Sequence, residues 1–477
     1  MQLRQSLEAS KDVDAQFLVV DPHESWSAKF LLKDAGVSTD EVNFPVLMDP
    51  SLTVSATYGL AFQMRIHTEL SNRPATFVID KQGVVQFVKR AEKFNDRPLP
   101  REIEEVLKGL NESGGKAEAD QTPQDNEEHQ QDTSVPGSDN IEELIRSSTS
   151  QLIKLQEDDG AWPYEGVYRV RRKIPVGYRI GGTSIVCTSL LYADQSPEAT
   201  AAIERGVKAI LKDLENPLMQ ANVRDAYDVR VWGHIYALEL FCRIKASTRL
   251  ESIRSETDKW IPILAETLIA EQISDGGWNY AGQRRHASFV TAPAVQALLL
   301  AKQNGADVPD SVFEKAKKVL IASRTEEGAF QYSGTVGRRA ASLPGSIARS
   351  AVCELTLILL GDGNLDHLRA SITAFYEHWD ELEKRRKKTG THKPPYNIAP
   401  YYFYYGHRYL AQAIQVLPEK ERTEATRKFA RVLLSTKDPD DTWNDRVFDR
   451  SKAYGTAMSV EHLIGNVPLP QERSADR

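Results

Sequence analysis

Apolar positions follow two different rhythms along the chain. Up to residue 110 they come in short runs of strand length: residues 16–21 (QFLVVD), 75–80 (ATFVID) and 84–89 (VVQFVK). The last two flank the turn Lys81-Gln82-Gly83 and predict a hairpin. Amphipathic stretches separate the runs. One carries Trp26, Phe30, Leu31 and Leu32, one ends at Tyr58-Gly59, and one follows Pro100 with Ile103, Val106, Leu107 and Leu110. Strand and helix signals in alternation predict an α/β domain over residues 1–110.

From residue 139 to 477 the rhythm is helical throughout. Residues 140–156 (NIEELIRSSTSQLIKLQ) keep apolar positions at helical spacing, and Asp139 with Glu142 reads as a capping box. The helix ends in QEDDGAW, where Gln156, Gly160 and Trp162 stand at offsets of four and six. The same offsets recur as Gln272, Gly276, Trp278; as Arg324, Gly328, Phe330; and as Lys437, Asp441, Trp443. Successive copies are 116, 52 and 113 residues apart, so one unit is about 55 residues and two copies have lost the signature.

Six more apolar helices alternate with the amphipathic ones, over 182–193, 231–242, 291–302, 346–360, 401–414 and 453–464. Six such pairs suit a closed double ring, an all-α (α/α)6 toroid with the apolar helices inside, because closure buries faces that an open stack would leave wet. The enclosed middle is expected to be hollow. Between the two parts, residues 111–138 hold no aliphatic side chain larger than Ala except Val135, and they predict a disordered acidic linker.

Composition narrows the function classes. A chain of 477 residues exceeds one hydrophobic core, in line with two domains. A net charge of −7 offers no footprint for a polyanion, so nucleic acid is not an expected partner. No apolar run is long enough to span a bilayer. Residues 1–15 lack the apolar centre of a secretory signal, so the chain as written reads as cytoplasmic, while an upstream start would leave a secretory signal open. The three cysteines, Cys187, Cys242 and Cys353, lie far apart in apolar stretches and read as buried thiols.

Residues 44–50 (FPVLMDP), 73–83 (RPATFVIDKQG) and 94–98 (FNDRP) resemble the peroxiredoxin (AhpC/TSA) branch of the thioredoxin superfamily. The resemblance implies an incomplete thioredoxin-like domain and a cis peptide at Pro74, facing the position of an active-site cysteine. Here the chain departs from the family, since no cysteine precedes Cys187. Thiol peroxidase chemistry needs a thiolate nucleophile, so the segment as written carries no redox residue. Two explanations stand: a start lying upstream, which is favoured because a lost inner strand would expose an edge, or a degenerate docking module.

The Gln-x-x-x-Gly-x-Trp spacing resembles the repeat of squalene cyclases, and the ring resembles prenyltransferase toroids. The string Asp438-Pro439-Asp440-Asp441-Thr442 matches the DxDDT of class II cyclases, which makes Asp440 a candidate general acid. Its position in the repeat turn, with Asp441 in the glycine slot, favours a structural role. No Asp-x-Cys zinc pairing is present and no metal or cofactor is expected.

Residues 393–409 (KPPYNIAPYYFYYGHRY) pack seven Tyr and Phe beside His407 and Arg408. Tyr402, Tyr405 and His407 are therefore candidate ligand-binding residues. Those near the starts of the other inner helices are Tyr178, Arg179, Arg230, His234, His286, Arg349 and Tyr454. The leading reading is a redoxin-like module fused to a toroid that binds a terpenoid or glycan in its cavity, with a protein partner for the redoxin-like part. The alternatives are a thiol-dependent antioxidant oxidoreductase with a miscalled start and a non-catalytic scaffold.

Overall fold

The computed structural model describes residues 15–16, 18–21, 45–49, 53–58, 60–63, 70–72, 75–90, 100–112, 138–166, 173–220, 229–281, 284–337, 340–388, 390–465 and 467–470. Contacts divide the chain into two units, Met1–Asp132 and Thr133–Arg477. Pro74 and residues 113–137 of the expected linker lie outside the described residues.

In the first unit β1 (Val19–Asp21) pairs in parallel with β2 (Val46–Met48), Val19 opposite Val46. A parallel pair needs a long crossover, and the interval between these strands supplies the length. The short helix α1 (Thr53–Thr57) is capped by Asp49, whose carboxylate accepts the Ser55 amide at 2.8 Å and the Val54 amide at 3.2 Å. β3 (Ala61–Gln63) and β4 (Leu70–Asn72) form an antiparallel pair that the sequence pattern does not announce.

The expected hairpin is β5 (Ala75–Ile79) against β6 (Val85–Arg90). Its turn is fixed by Asp80, whose Oδ1 accepts the amides of Gln82 and Val84, both at 2.9 Å. α2 (Pro100–Glu112) packs on β5.

The second unit is built from α3 (Ser138–Lys154), α4 (Val176–Ala193), α5 (Pro197–Leu214), α6 (Arg230–Ala246), α7 (Glu251–Ala270), α8 (Ser288–Gln303), α9 (Asp310–Ser323), α10 (Ile347–Leu359), α11 (Leu365–Glu377), the short α12 (Trp379–Glu383), α13 (Tyr402–Gln415), α14 (Glu419–Leu434) and α15 (Ser451–Leu463). Neighbour relations close a ring: α4 packs on α6, α6 on α8, α8 on α10, α10 on α13, α13 on α15, and α15 back on α4. Around it α3, α5, α7, α9, α11 and α14 each lie against one or two inner helices. This is the (α/α)6 toroid, with six inner and six outer helices among the described residues. Four of the inner helices, α4, α6, α8 and α15, are buried nearly all round, which accounts for their weak amphipathicity. Among the described residues no helix is long and apolar enough to cross a membrane.

The repeat motif joins neighbouring outer helices. Gln156 Nε2 donates to the carbonyls of Gly160 (2.9 Å) in its own turn and Ala202 (2.8 Å) on α5. Gln272 does the same to Gly276 (2.8 Å) and to Val312 (2.9 Å) on α9. The indoles of Trp162, Trp278 and Trp443 donate back to Leu152, Leu268 and Leu433 at 2.7, 2.7 and 3.1 Å, tying each turn to the outer helix it ends. The backbone amide of each motif aromatic donates to a hydroxyl on or just before the following inner helix: Thr183, Thr291, Ser346 and Thr456, at 2.9 to 3.0 Å. Gly160, Gly276, Gly328 and Asp441 all take positive φ, so the glycine slot is a left-handed turn position.

In the sixth copy the turn meets the first helix. Ser148 donates to the Asp441 carbonyl at 2.7 Å and Ser147 to its carboxylate at 2.6 Å. These two bonds close the outer ring across 294 positions of sequence.

Candidate functional site

Eight aromatic rings converge where the inner helices begin. Tyr164, Tyr178, Trp232, Tyr280, Phe289, Tyr401, Tyr405 and Tyr454 line a narrow cup, partly open to solvent, with a cavity volume of about 20 Å³. Five of the six inner helices contribute, α10 being the exception. The rings hold one another mostly edge to face or tilted. Tyr178 meets Tyr164 at 5.4 Å and Trp232 at 5.5 Å, and Tyr454 lies 4.4 Å from Tyr164. Close approach of α4 and α6 is possible because Gly181 faces Trp232, where an added Cβ would sit 2.3 Å from the indole. The Tyr405 hydroxyl donates to the Phe289 carbonyl at 2.6 Å and is spent inside the wall. Tyr401 reaches His392 Nε2 at 3.1 Å.

The middle of the ring is not hollow, which corrects the sequence expectation. The hydroxyls of Tyr236 and Tyr409 meet at 3.2 Å, and Arg408 bridges Glu239 (2.8 Å) and Glu461 (2.9 Å). Arg243 adds a further ion pair to Glu239 at 2.8 Å. Burial pushes the Glu239 carboxyl up, but Arg408 and Arg243 together bring it below the usual range. Glu461 has Arg408 against the same burial and stays raised. Inner-helix positions one to two turns past the cup are thus consumed by a charge cluster in which the two arginines balance the two glutamates.

Of the sequence-predicted binding residues, Tyr178, Tyr405 and Tyr454 line the cup. The structure places the others elsewhere. Arg179 pairs with Asp159 (2.8 Å) and Asp213 (2.9 Å), bracing the first motif turn against α5. Arg230 is wholly buried against Glu271 at 2.6 Å. His234 is buried beside Arg230, and desolvation with that charge pushes it down to about 3, so it is neutral. His407 accepts the Trp379 indole proton at 3.0 Å and donates through Nδ1 to the Phe403 carbonyl at 2.8 Å; burial lowers it to about 4. Arg349 donates to the carbonyls of Phe330 and Gly345 at 2.8 and 2.7 Å and stands over the Tyr402 ring. Tyr402 packs behind the cup, edge-on to Phe289.

His286 lies between Asp275 (2.7 Å from Nδ1) and Ser323 (2.8 Å from Nε2). The order is that of a nucleophilic triad, but Ser323 is wholly buried and its hydroxyl donates to the Val319 carbonyl at 2.6 Å. The trio braces two repeats, with His286 and Ser323 both wholly buried.

Asp440 lies in the turn of the sixth repeat. Its carboxylate pairs with Lys452 at 2.8 Å and accepts the Thr442 hydroxyl at 2.5 Å; despite some desolvation these partners hold it below the ordinary range. A strong general acid needs the opposite shift. Asp438 is tied to Lys387 and Asp441 to Lys437. The DxDDT string is a repeat turn neutralised by three lysines.

The sequence reading missed a more telling carboxyl. Asp445, in the loop after Trp443, is wholly buried and stands behind the cup, 3.2 Å from the Tyr164 hydroxyl. Burial pushes it up to about 7 against the pull of Arg446 and Tyr164. Its Oδ1 and the Nε and Nη2 of Arg446, only 2% exposed, have no hydrogen-bond partner. Nothing in the motif spacing marks this pair. Among the described residues no cluster of His, Cys, Asp and Glu could hold a metal. The three thiols are buried and free, and burial pushes each upward, Cys242 to about 12.

Comparisons with known proteins divide along the same boundary. Residues 1–88 match the AhpC/TSA family model. Peroxiredoxin TSA1-B of Candida albicans is 33% identical over 104 residues, 21% of this chain, and the chain spans about half (48%) of that relative. Solved structures similar to the helical part include a type II terpene cyclase from Scytonema (15% identity, TM-score 0.43, covering 68% of this chain and 97% of that one). Another is the GH76A α-1,6-mannanase from Salegentibacter sp. HEL1_6 (13%, TM-score 0.46, 68% and 100%), and a third is a D-mannose isomerase (12%, TM-score 0.42, 69% and 99%). These likenesses are remote and bear on neither substrate nor chemistry. The chain is thus a fusion of an AhpC/TSA-like segment with an α/α toroid.

Proposed function

We propose that the toroid is a ligand-binding domain whose site is the aromatic cup, and that it takes a small hydrophobic or hydroxylated ligand, of terpenoid or glycan class. The observation that carries this is the convergence on one cleft of eight rings, five on inner helices and three from the segments that precede them. Aromatic side chains concentrated at one opening offer stacking and apolar contact together with hydroxyl handles. Because a charge cluster fills the ring below, the ligand engages by one end at the mouth instead of threading the middle. The AhpC/TSA-like segment has no cysteine ahead of Cys187, so it serves in this reading as a docking module for a protein partner.

Native mass spectrometry of the full chain tests the proposal. A co-purifying small molecule that is lost in Trp232→Ala supports it, and identical spectra for the two proteins refute it. A second reading, thiol-dependent antioxidant activity, draws on the match of residues 1–88. It predicts a longer natural form with a cysteine-bearing helix ahead of β1 that consumes peroxide, and a peroxide assay on that form decides it.

A further inference from the structure

The net charge of −7 conceals an uneven distribution. Three loops lead into the neighbouring inner helices α8, α10 and α13: residues 279–287, 331–346 and 384–401. Together they hold ten Lys and Arg and no Asp or Glu. All four Arg-Arg pairs of the sequence stand in such entry loops, at 171–172, 284–285, 338–339 and 385–386, of which 171–172 and 338–339 lie outside the described residues. The inner helices begin at this same face, and their N-termini add potential of the same sign. The three loops form one surface. The Gly334 amide donates to the His286 carbonyl at 2.9 Å, and Tyr332 meets His392 edge-on at 4.8 Å. Gly345 packs so closely on Tyr396 that an added Cβ would stand 2.4 Å from its carbonyl oxygen.

Part of this charge builds the loops themselves. Lys384 pairs with Glu381, Arg386 with Glu383 and Lys387 with Asp438, while Arg385 donates to the Thr391 and Ile398 carbonyls. Arg284, Arg285 and Lys393 differ: they are exposed, and among the described residues their side chains have no acidic partner. Ser333 and Thr335 are exposed on the same surface, and Tyr332 and Tyr396 are half-buried in it. We propose that this arc binds an acidic polysaccharide, a chain of uronate sugars lying along the rim of the ring. A guanidinium fork matches a carboxylate, and hydroxyls with partly exposed tyrosines match the polar edge and apolar face of a sugar. A single exposed ion pair contributes little, so a chain that meets several cations at once is held where a monosaccharide is not. An anionic membrane fits less well, because Val336 is the one exposed large aliphatic on the described part of these loops. Duplex nucleic acid brings a charge every ~1.7 Å, a density that three free cations do not match. The three cations lie outside the cup wall, so the proposal stands apart from the reading of the cup.

The test is calorimetric titration of the full chain with polygalacturonate and with alginate. Fully methyl-esterified polygalacturonate serves as the neutral control, and duplex DNA and phosphatidylglycerol vesicles are the rival polyanions. At least one uronate chain binds, more weakly as salt is added, and the ester binds at least tenfold less well. Affinity falls about tenfold when Arg284→Gln, Arg285→Gln and Lys393→Gln are combined, as expected for three exposed ion pairs, with the circular dichroism unchanged. Lys393→Gln alone gives a smaller loss and decides the matter if the triple variant does not fold. Lys208→Gln with Lys259→Gln, exposed on the outer helices α5 and α7, leaves affinity as it was. Equal binding of ester and acid overturns the proposal, as does undiminished affinity in the entry-loop variants. Tighter binding of DNA or vesicles, or no binding of either uronate chain, overturns it as well.

Discussion

Replacing the motif glycines with alanine separates backbone strain from packing between repeats. Gly276 and Gly328 occupy the same slot with φ of 109° and 83°. An alanine at either place pays for a left-handed backbone, about 1–2 kcal/mol. At 328 that is the whole effect, since an added Cβ meets nothing within 4 Å. At 276 the Cβ would stand 2.7 Å from the Lys315 carbonyl and 2.9 Å from the Lys315 Cβ, on α9 of the next repeat. The turn must then lift off that helix, adding the ~1–3 kcal/mol typical of overpacking. Lifting also strains the Gln272 bond to Val312. We expect Gly328→Ala to cost about 1–2 kcal/mol and Gly276→Ala about 2–5. Gly160→Ala belongs with the larger class, its Cβ lying 2.7 Å from the Arg205 carbonyl. Urea unfolding of the full chain, followed by tryptophan fluorescence, reads the differences. Equal losses at all three sites would show that the turn-to-helix contact carries no coupling between repeats.

Three further outcomes follow from the buried charges and the closure. Arg408→Met strands Glu461, while Glu239 keeps Arg243, and should cost about 3–5 kcal/mol, with the loss smaller at pH 5 than at pH 8 because Glu461 can protonate; thermal melts at the two values check it. His234 and His407 are held neutral at about 3 and about 4, well below the unfolded value, so their stabilisation is complete above pH 6.5 and is lost as pH falls toward 4. His407→Gln should remove roughly one proton's share of that slope, about 1.4 kcal/mol per pH unit, in a plot of Tm against pH. Ser147→Ala with Ser148→Ala removes both bonds from α3 to the sixth turn, for about 1–3 kcal/mol in total, and amide exchange should accelerate at both ends of the toroid together.

Much of the toroid was legible because its signals are local. The helical period, the motif offsets and the left-handed slot each lie within a few residues, and the six inner helices fall close to where the apolar runs placed them. The hydroxyls that accept the motif amides escaped because their spacing drifts from 13 to 21 residues with loop length. The site was read less well for the same reason. Arg179 and Arg230 stand near inner-helix starts, but Asp213 and Glu271, 34 and 41 residues away, take them out of reach of a ligand. Asp445 looked like one more polar residue in a loop, and only Tyr164, 281 positions earlier, reveals what surrounds it.

The join between Ser148 and Asp441 also bears on how the protein is made. On the ribosome α3 emerges 293 residues before the turn that receives it. At a synthesis rate of about 5–20 residues per second, α4 and α5 reach it early, while the part of its surface that meets α15 waits on the order of 15–60 s. During that interval the helix is a natural client for a holding chaperone.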